Sequence, residues 1–225
     1  MPAAVMVGRA RRRHLGGATR GRHLLVMTRH ARTLAAMSAV PREWFVEPEQ
    51  RVHAYDDRPL PIGNGQTISQ PYVVAFMIEQ LTLRPHERVL EVGTGSGYAA
   101  AVLAQLVREV VTVERWPALA ERARRRLEQL PEARVRVEVG DGSLGFSAAA
   151  PYDAILLSAA APQIADALLA QLAPGGRLLG PVGRETHQDL IRIDRHPDGR
   201  LQQTNLGAVR FVPLLGAGGW PVGEG

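Results

Sequence analysis

The stretch RVLEVGTGSGY, Arg88 to Tyr98, restricts the fold more than any other part of the chain. A short apolar run, residues 88–93, leads directly into glycines at alternate positions, Gly93, Gly95 and Gly97, and then into the helical pattern of residues 97–107. A buried strand that turns at once into a helix opens a βαβ unit, and glycines let the backbone turn sharply and approach a ligand closely. The alternation continues: strands are predicted at 109–115, 135–142, 152–160 and 175–183, with helices at 117–130 and 162–172. Strands separated by helical segments of about ten to fifteen residues build a parallel sheet. The end breaks the pattern, with a hairpin of 189–195 and 201–207 around HPDGR and a last strand at 209–215. The prediction is an α/β fold, mostly parallel, with an antiparallel C-terminal edge.

Upstream of this unit, residues 28–39 carry helical spacing that stops at Val40-Pro41, because the residue before a proline is pushed out of the α region. Residues 47–66 read as a loop rich in Pro, Asp and Gly, and SQPYVVAFMIEQLTL as a helix with Ser69 as N-cap and Pro71 in its first turn.

Charge divides the chain unevenly. All 27 basic residues are arginines, and eight of them precede residue 33, where no acid occurs. The rest carries 19 arginines against 22 acids, a net charge of −3, so the formal +5 belongs to a leader. That leaves no basic face for nucleic acid. Residues 1–26 are expected to be a disordered Arg-rich leader or an extension upstream of a start at Met27; a phosphate-binding arm or transit peptide are the other readings. Residues 27–216 form one domain and 217–225 a tail. The absence of cysteine excludes disulfides, thiolate metal sites and cysteine nucleophiles, and fits a reducing, cytoplasmic setting. No apolar run approaches the roughly eighteen residues of a membrane span, so no membrane partner is expected, and the chain is read as a monomer.

The glycine spacing is G-x-G-x-G rather than the G-x-G-x-x-G of dinucleotide folds. Glu91 before the loop would repel a phosphate but suits an ammonium group, which favours S-adenosyl-L-methionine over NAD; its other reading is an acid that orients the loop. Glu114, at the end of the next strand, is placed to accept hydrogen bonds from ribose hydroxyls. Asp141, in GDG at the end of the third, suits the exocyclic amine of adenine. Acids at successive strand ends around one glycine loop make a far more specific set than the loop alone.

Ahead of them lies GNGQTISQP, residues 63–71. Together with VPREWFV, VLEVGTGSGYAAAVLAQL, VGDGSLG, APYDAILLSAAAP, LAPGGRLLGPVG and VRFVPLLG it resembles the protein-L-isoaspartate (D-aspartate) O-methyltransferases, from about Val40 to Leu215 and in the same order. The resemblance implies a Rossmann-like class I methyltransferase fold with its last strands rearranged. It also implies methyl transfer from S-adenosylmethionine to the α-carboxylate of isoaspartyl residues in damaged proteins and peptides, followed by collapse to a succinimide that reopens partly to aspartate. Ser69 matches the position of the active-site serine. Gln66, Thr67 and Ile68 line the pocket, and Gly93, Gly95, Gly97, Glu114, Asp141 and Gly142, with Glu91, match cofactor contacts. Segment 210–214, with Val212, contributes to the substrate cleft. The acid-free N-terminal helix and the AGGWPVGEG tail depart from the resemblance.

Such chemistry explains a site without a base. The acceptor carboxylate, of ordinary pKa about 3.5 to 4, is already ionised at pH 7 and has no proton to lose. A serine hydroxyl can orient it without neutralising it. Two other functions fit the same residues: a relative that methylates an aspartate of a dedicated peptide, and a non-catalytic module that binds S-adenosylmethionine. The histidines have no ligand-spaced partners, Ser143 and Ser158 lack a His-Asp pair, Trp44 and Phe45 are expected to pack under the loop, and RARRR, 122–126, reads as a solvated helix face.

Overall fold

The computed structural model describes residues 31–130 and 134–221; the leader and the last four residues lie outside the described part. In chain order the elements are α1 (Ala31–Ala39), a hairpin of β1 (Leu60–Gly63) and β2 (Gln66–Ile68), α2 (Pro71–Leu81), β3 (Arg88–Val92), α3 (Tyr98–Ala104), β4 (Glu109–Glu114), α4 (Pro117–Leu127), β5 (Val135–Val139), β6 (Tyr152–Leu157), α5 (Asp166–Ala170), β7 (Leu172–Arg184), β8 (His187–Arg195) and β9 (Leu201–Val209). Seven strands form one sheet in the order β5-β4-β3-β6-β7-β8-β9. The ladders from β5 to β7 are parallel, and β8 and β9 add an antiparallel meander. This is the predicted mostly parallel sheet with an antiparallel C-terminal edge.

Side-chain alternation gives the sheet two cores. Val89, Val110, Ala154 and Leu156 face a layer made by α1 to α4 and the small hairpin. Leu90, Val92, Val111, Ile155 and Leu157 face α5, short turns and Leu214.

Several local expectations change. Residues 60–68, read in part as loop, form the β1–β2 hairpin: Asn64 and Gly65 take φ of 53° and 69° between the paired Gly63 and Gln66. Positive φ at both turn positions is the type I′ geometry that Asn-Gly favours, because its twist matches that of the strands. Arg122, expected in solvent, donates to Ile62 O at 2.7 Å and to Glu47 at 2.8 Å, so α4 grips this hairpin. Arg126 is also mostly covered and reaches Glu47. Phe45 is buried as expected, whereas Trp44 is exposed. The helix predicted at 162–172 shrinks to α5, since Ala161 is extended and bonded to Pro181 O and by Gly183 N. The last strand predicted at 209–215 is reduced to a bridge of Ala160 with Pro213, whose missing N–H cannot continue a ladder. The expected tail begins inside the fold: Trp220 N donates to Leu214 O, and its ring N–H to Ala160 O.

Behind the sheet, Arg177 and Glu87 form a bidentate pair at 2.8 and 2.6 Å, and both are buried. Removing one partner of a buried pair strands the other charge. Arg177→Ala is expected to cost about 3–5 kcal/mol and lower Tm by roughly 10 °C, read by thermal unfolding.

Candidate active site

The strand order reverses between β3 and β6, and in such sheets the crevice outside the carboxyl ends of the strands is where ligands bind. Here the crevice is lined by Gly93 and Gly95, Glu114, Gly142, Ser158 and, opposite, Gln66, Thr67 and residues 212–215. Two adjoining spaces share Thr67 and Ser158 with it: one runs over Ile68, Ser69, Glu91 and Tyr98, the other opens past Ser69, Gln70, Arg210 and Val212.

The glycine loop is bonded onto its neighbours. Gly93 N donates to Val113 O at 2.9 Å, and Gly95 N to Glu114 Oε2 at 2.7 Å. Gly93 holds φ of 95°, and a Cβ there would lie 3.5 Å from the Ser158 Cβ at the crevice floor. Glu114 spends its other oxygen on Trp116 N at 2.9 Å, so its carboxylate both lines the crevice and fixes the loop. Gly142 gives the rim a bare backbone, since a Cβ there would stand 2.9 Å from Val92 Cγ1.

Glu91 lies beneath the crevice. It is fully buried, accepts from Thr112 Oγ1 at 2.7 Å and from Ser158 Oγ at 3.1 Å, and Thr112 is in turn bonded to Thr94 at 2.7 Å. Burial pushes its pKa up to about 8, with the Glu114 charge adding and the two hydroxyl donors opposing. Glu91 itself borders one of the three spaces, and Ser158, to which it is bonded, lines all three. The spacing did not single out Ser158 as a ligand residue; its place at the end of β6, beside the switch point, is the signal that identifies it.

Two further expected cofactor contacts have packing or hydrogen-bonding partners of their own. Gly97 lines none of the three spaces. It starts α3 at φ 90°, with a Cβ position 3.2 Å from Ala123 Cβ, so it serves the turn and the approach of α3 to α4. Asp141 directly precedes Gly142, which lines the crevice. Its carboxylate accepts from Ser143 N and Oγ at 2.9 and 2.6 Å and from Ala217 N at 2.7 Å, which ties the GDG loop to the turn after the last bridge.

Ser69 is not the N-cap of α2. The cap position is Gln70, without a side-chain hydrogen bond, and the exposed amide of Tyr72 is met by Asp57 Oδ1 at 3.0 Å from fifteen residues upstream. Among the described residues the Ser69 hydroxyl has no hydrogen-bond partner, while its carbonyl accepts from Arg42 Nη2 at 2.6 Å. Sequence reasoning missed Arg42, because nothing in VPREWFV marks its arginine as buried.

The crevice fits S-adenosylmethionine better than a pyrophosphate: its glycine loop is backed by two acidic residues, Glu91 and Glu114, suited to a cationic amino acid and to ribose hydroxyls. The protein-L-isoaspartate (D-aspartate) O-methyltransferase family model matches residues 22–218. The chain belongs to that family. It is 54% identical over 189 residues to the protein-L-isoaspartate O-methyltransferase of Herpetosiphon aurantiacus, covering 84% of each chain. To that of Methanoculleus marisnigri it is 53% identical, covering 84% of this chain and 86% of the other. A solved protein-L-isoaspartate O-methyltransferase superposes with a TM-score of 0.78 at 27% identity, over 89% of this chain and 67% of that one. A Plasmodium falciparum protein described as a candidate of the same kind, in complex with S-adenosyl-L-homocysteine, shares the fold at TM-score 0.77 and 23% identity, over 88% and 97% of the two chains. The resemblance read from GQTIS and the glycine loop is thus borne out, and this isoaspartate methyltransferase family member is an S-adenosylmethionine-dependent enzyme. Among the described residues no helix is long and apolar enough to cross a membrane.

The Glu91 network has a pH signature. In the unfolded chain Glu91 loses its proton near its ordinary 4.5, but in the fold it keeps it to about 8. Its contribution is present below the lower value and is lost as pH rises through the upper one. Glu91→Gln removes this dependence, so the difference in Tm should move in the variant's favour between about pH 5 and 8, read by thermal unfolding across pH.

Proposed function

We propose that the chain methylates the α-carboxylate of L-isoaspartyl and D-aspartyl residues in damaged proteins and peptides, with Ser69 as the residue that orients the acceptor. The observation that carries the assignment is the partnerless Ser69 hydroxyl, which lines the two spaces next to the glycine-loop crevice and is excused from helix capping by Gln70 and Asp57.

The glycine loop at Gly93 and Gly95, with Glu114 and Gly142, would hold the nucleoside part of S-adenosylmethionine. Gln66, Thr67 and Ile68 would form the facing wall, and Glu91 would act on the amino-acid end through Ser158. Asp141 and Gly97 serve indirectly, one by fixing Gly142 and the turn beyond residue 216, the other by starting α3. When bound, the cofactor supplies a methyl group on a sulfonium, an electrophile whose leaving group needs no protonation. The acceptor carboxylate is ionised before it arrives, so the chain's own residues move no proton. They align and they exclude water, which is where the rate gain of a positioned displacement lies. Ser69 donates one hydrogen bond to a carboxylate oxygen and leaves the other free, with Val212 and the 210–214 segment closing the far side. The ester formed collapses to a succinimide, whose opening returns part of the damage to aspartate.

The lack of cysteine supports a cytoplasmic setting, and the mildly acidic body supports a protein without nucleic-acid partners. The catalytic domain would run from about residue 27, and the hydrogen bonds of the turn to Trp220 support including residues past 216 in it.

A peptide containing isoaspartate should be methylated while its aspartate twin is not; equal methylation of both overturns the assignment. Ser69→Ala should lower kcat about ten- to hundredfold, the worth of a hydrogen bond to a charged group. Its affinity for S-adenosylhomocysteine should stay within about twofold of the parent. Deleting residues 1–26 should leave methylation of small peptides at the parent level, measured by kcat/KM.

A further inference from the structure

Arg42 is the largest side chain in the molecule with no solvent exposure. Among the described residues it has no carboxylate partner at ion-pair distance, and Nη1 is buried without a hydrogen bond. Burying a guanidinium without a counter-charge is costly unless its hydrogen bonds are well placed. Those it makes join three separate segments. Nε donates to Ala54 O at 2.7 Å, Nη2 donates to Ser69 O at 2.6 Å, and the guanidinium lies 4.8 Å from the centre of the Tyr98 ring. Phe45 supports that ring edge-on at 5.6 Å. Tyr98 follows Gly97 directly, so one cation connects the acceptor-side Ser69 to the end of the glycine loop.

We infer that Arg42 is a positioning residue, which sets Ser69 at its distance from the loop that holds the methyl donor. The inference rests on Ser69 orienting the acceptor. Ser69 is the link between the end of β2 at Ile68 and the N-cap position of α2 at Gln70; among the described residues its hydroxyl is free, and its carbonyl is held by Arg42. A displacement of about 1 Å between reacting partners can cost on the order of a hundredfold in rate. A lysine cannot replace the clamp, because a planar fork can donate to two carbonyls in different directions while stacking on a ring, and a single ammonium cannot.

The test uses full-length Arg42→Lys, Arg42→Gln, Ser69→Ala and the Arg42→Gln/Ser69→Ala double variant. Turnover is measured on an isoaspartyl peptide, and S-adenosylhomocysteine binding by calorimetry. Arg42→Gln is expected to lose about tenfold or more in kcat, with Arg42→Lys in between. Binding of S-adenosylhomocysteine should stay within about twofold in affinity and at full stoichiometry. On the Ser69→Ala background Arg42→Gln should cost no more than about threefold further, since it acts through a residue already removed. Parent-level kcat in Arg42→Gln overturns the inference. So does a fall in binding stoichiometry that matches the fall in kcat, which would make the loss one of folding. Losses that multiply in the double variant place the action of Arg42 elsewhere and also overturn it. Parent-level turnover in Ser69→Ala alone removes the Ser69 assignment and this inference together, whereas a slow Ser69→Ala beside a normal Arg42→Gln removes only the inference.

Discussion

The ladder of β3 with β4 on one edge and β6 on the other holds the molecule's chemistry in place. Both pairings are parallel and in continuous register from Val89 to Val92, so all three strands deliver their carboxyl ends to one rim. Past that rim the backbone is still bonded: Gly93 N reaches Val113 O and Ser158 N reaches Val92 O at 2.8 Å. A loop anchored in this way can be rich in glycine, which costs chain entropy, and still keep a defined shape. The crevice opens between β3 and β6, whose onward connections run to opposite sides, β3 to β4 and β6 to β7, and it needs no special device beyond that topology.

Polar groups under the rim turn this geometry into an environment. Thr94, Thr112, Glu91 and Ser158 form a connected chain in which every buried oxygen has a partner. Satisfied networks of this kind are rigid, whereas an unpaired member would be costly in so dry a place. The burial that lifts Glu91 to about 8 also leaves the site with a carboxyl group that can respond to a nearby cation. Glu114, with its oxygens divided between Gly95 N and Trp116 N, behaves as part of the loop it was expected only to accompany.

The acceptor side is assembled differently, by arginines that reach across the chain. Arg122 holds the β1–β2 hairpin from α4, Arg32 links the ends of α2 and α3 by donating to Leu83 O and Leu106 O, and Arg42 ties Ala54 to Ser69. Each uses a planar group with several donors to satisfy carbonyls that no strand or helix would reach. The C-terminal turn does the corresponding work for the GDG loop. There Gly216 and Gly219 come so close that a Cβ would fall 2.0 Å from Asp141 Oδ1 and 2.1 Å from Leu214 O.

The parallel sheet, the glycine turn and the antiparallel edge were legible in the sequence, because each depends on local matters: apolar period, strand length and the φ freedom of glycine. The same locality explains why Glu114 could be placed at the crevice from its position at a strand end, whereas Gly142 was placed there by the resemblance. Asn64-Gly65 is an equally local signal, and it marks the hairpin where residues 47–66 otherwise read as loop. What the sequence by itself determined was the chemistry the chain could hold: a crevice for a cationic nucleoside, and beside it a serine with no base. Only the tertiary structure decided the service of each group. Asp141 was tied to Ala217, Gly97 was set against Ala123, Ser69 was released from capping by Asp57, and an arginine was buried behind it. Those outcomes depend on partners between fifteen and seventy-six residues apart, Tyr72 with Asp57 and Ala217 with Asp141, and no local period records which distant backbone will need a donor.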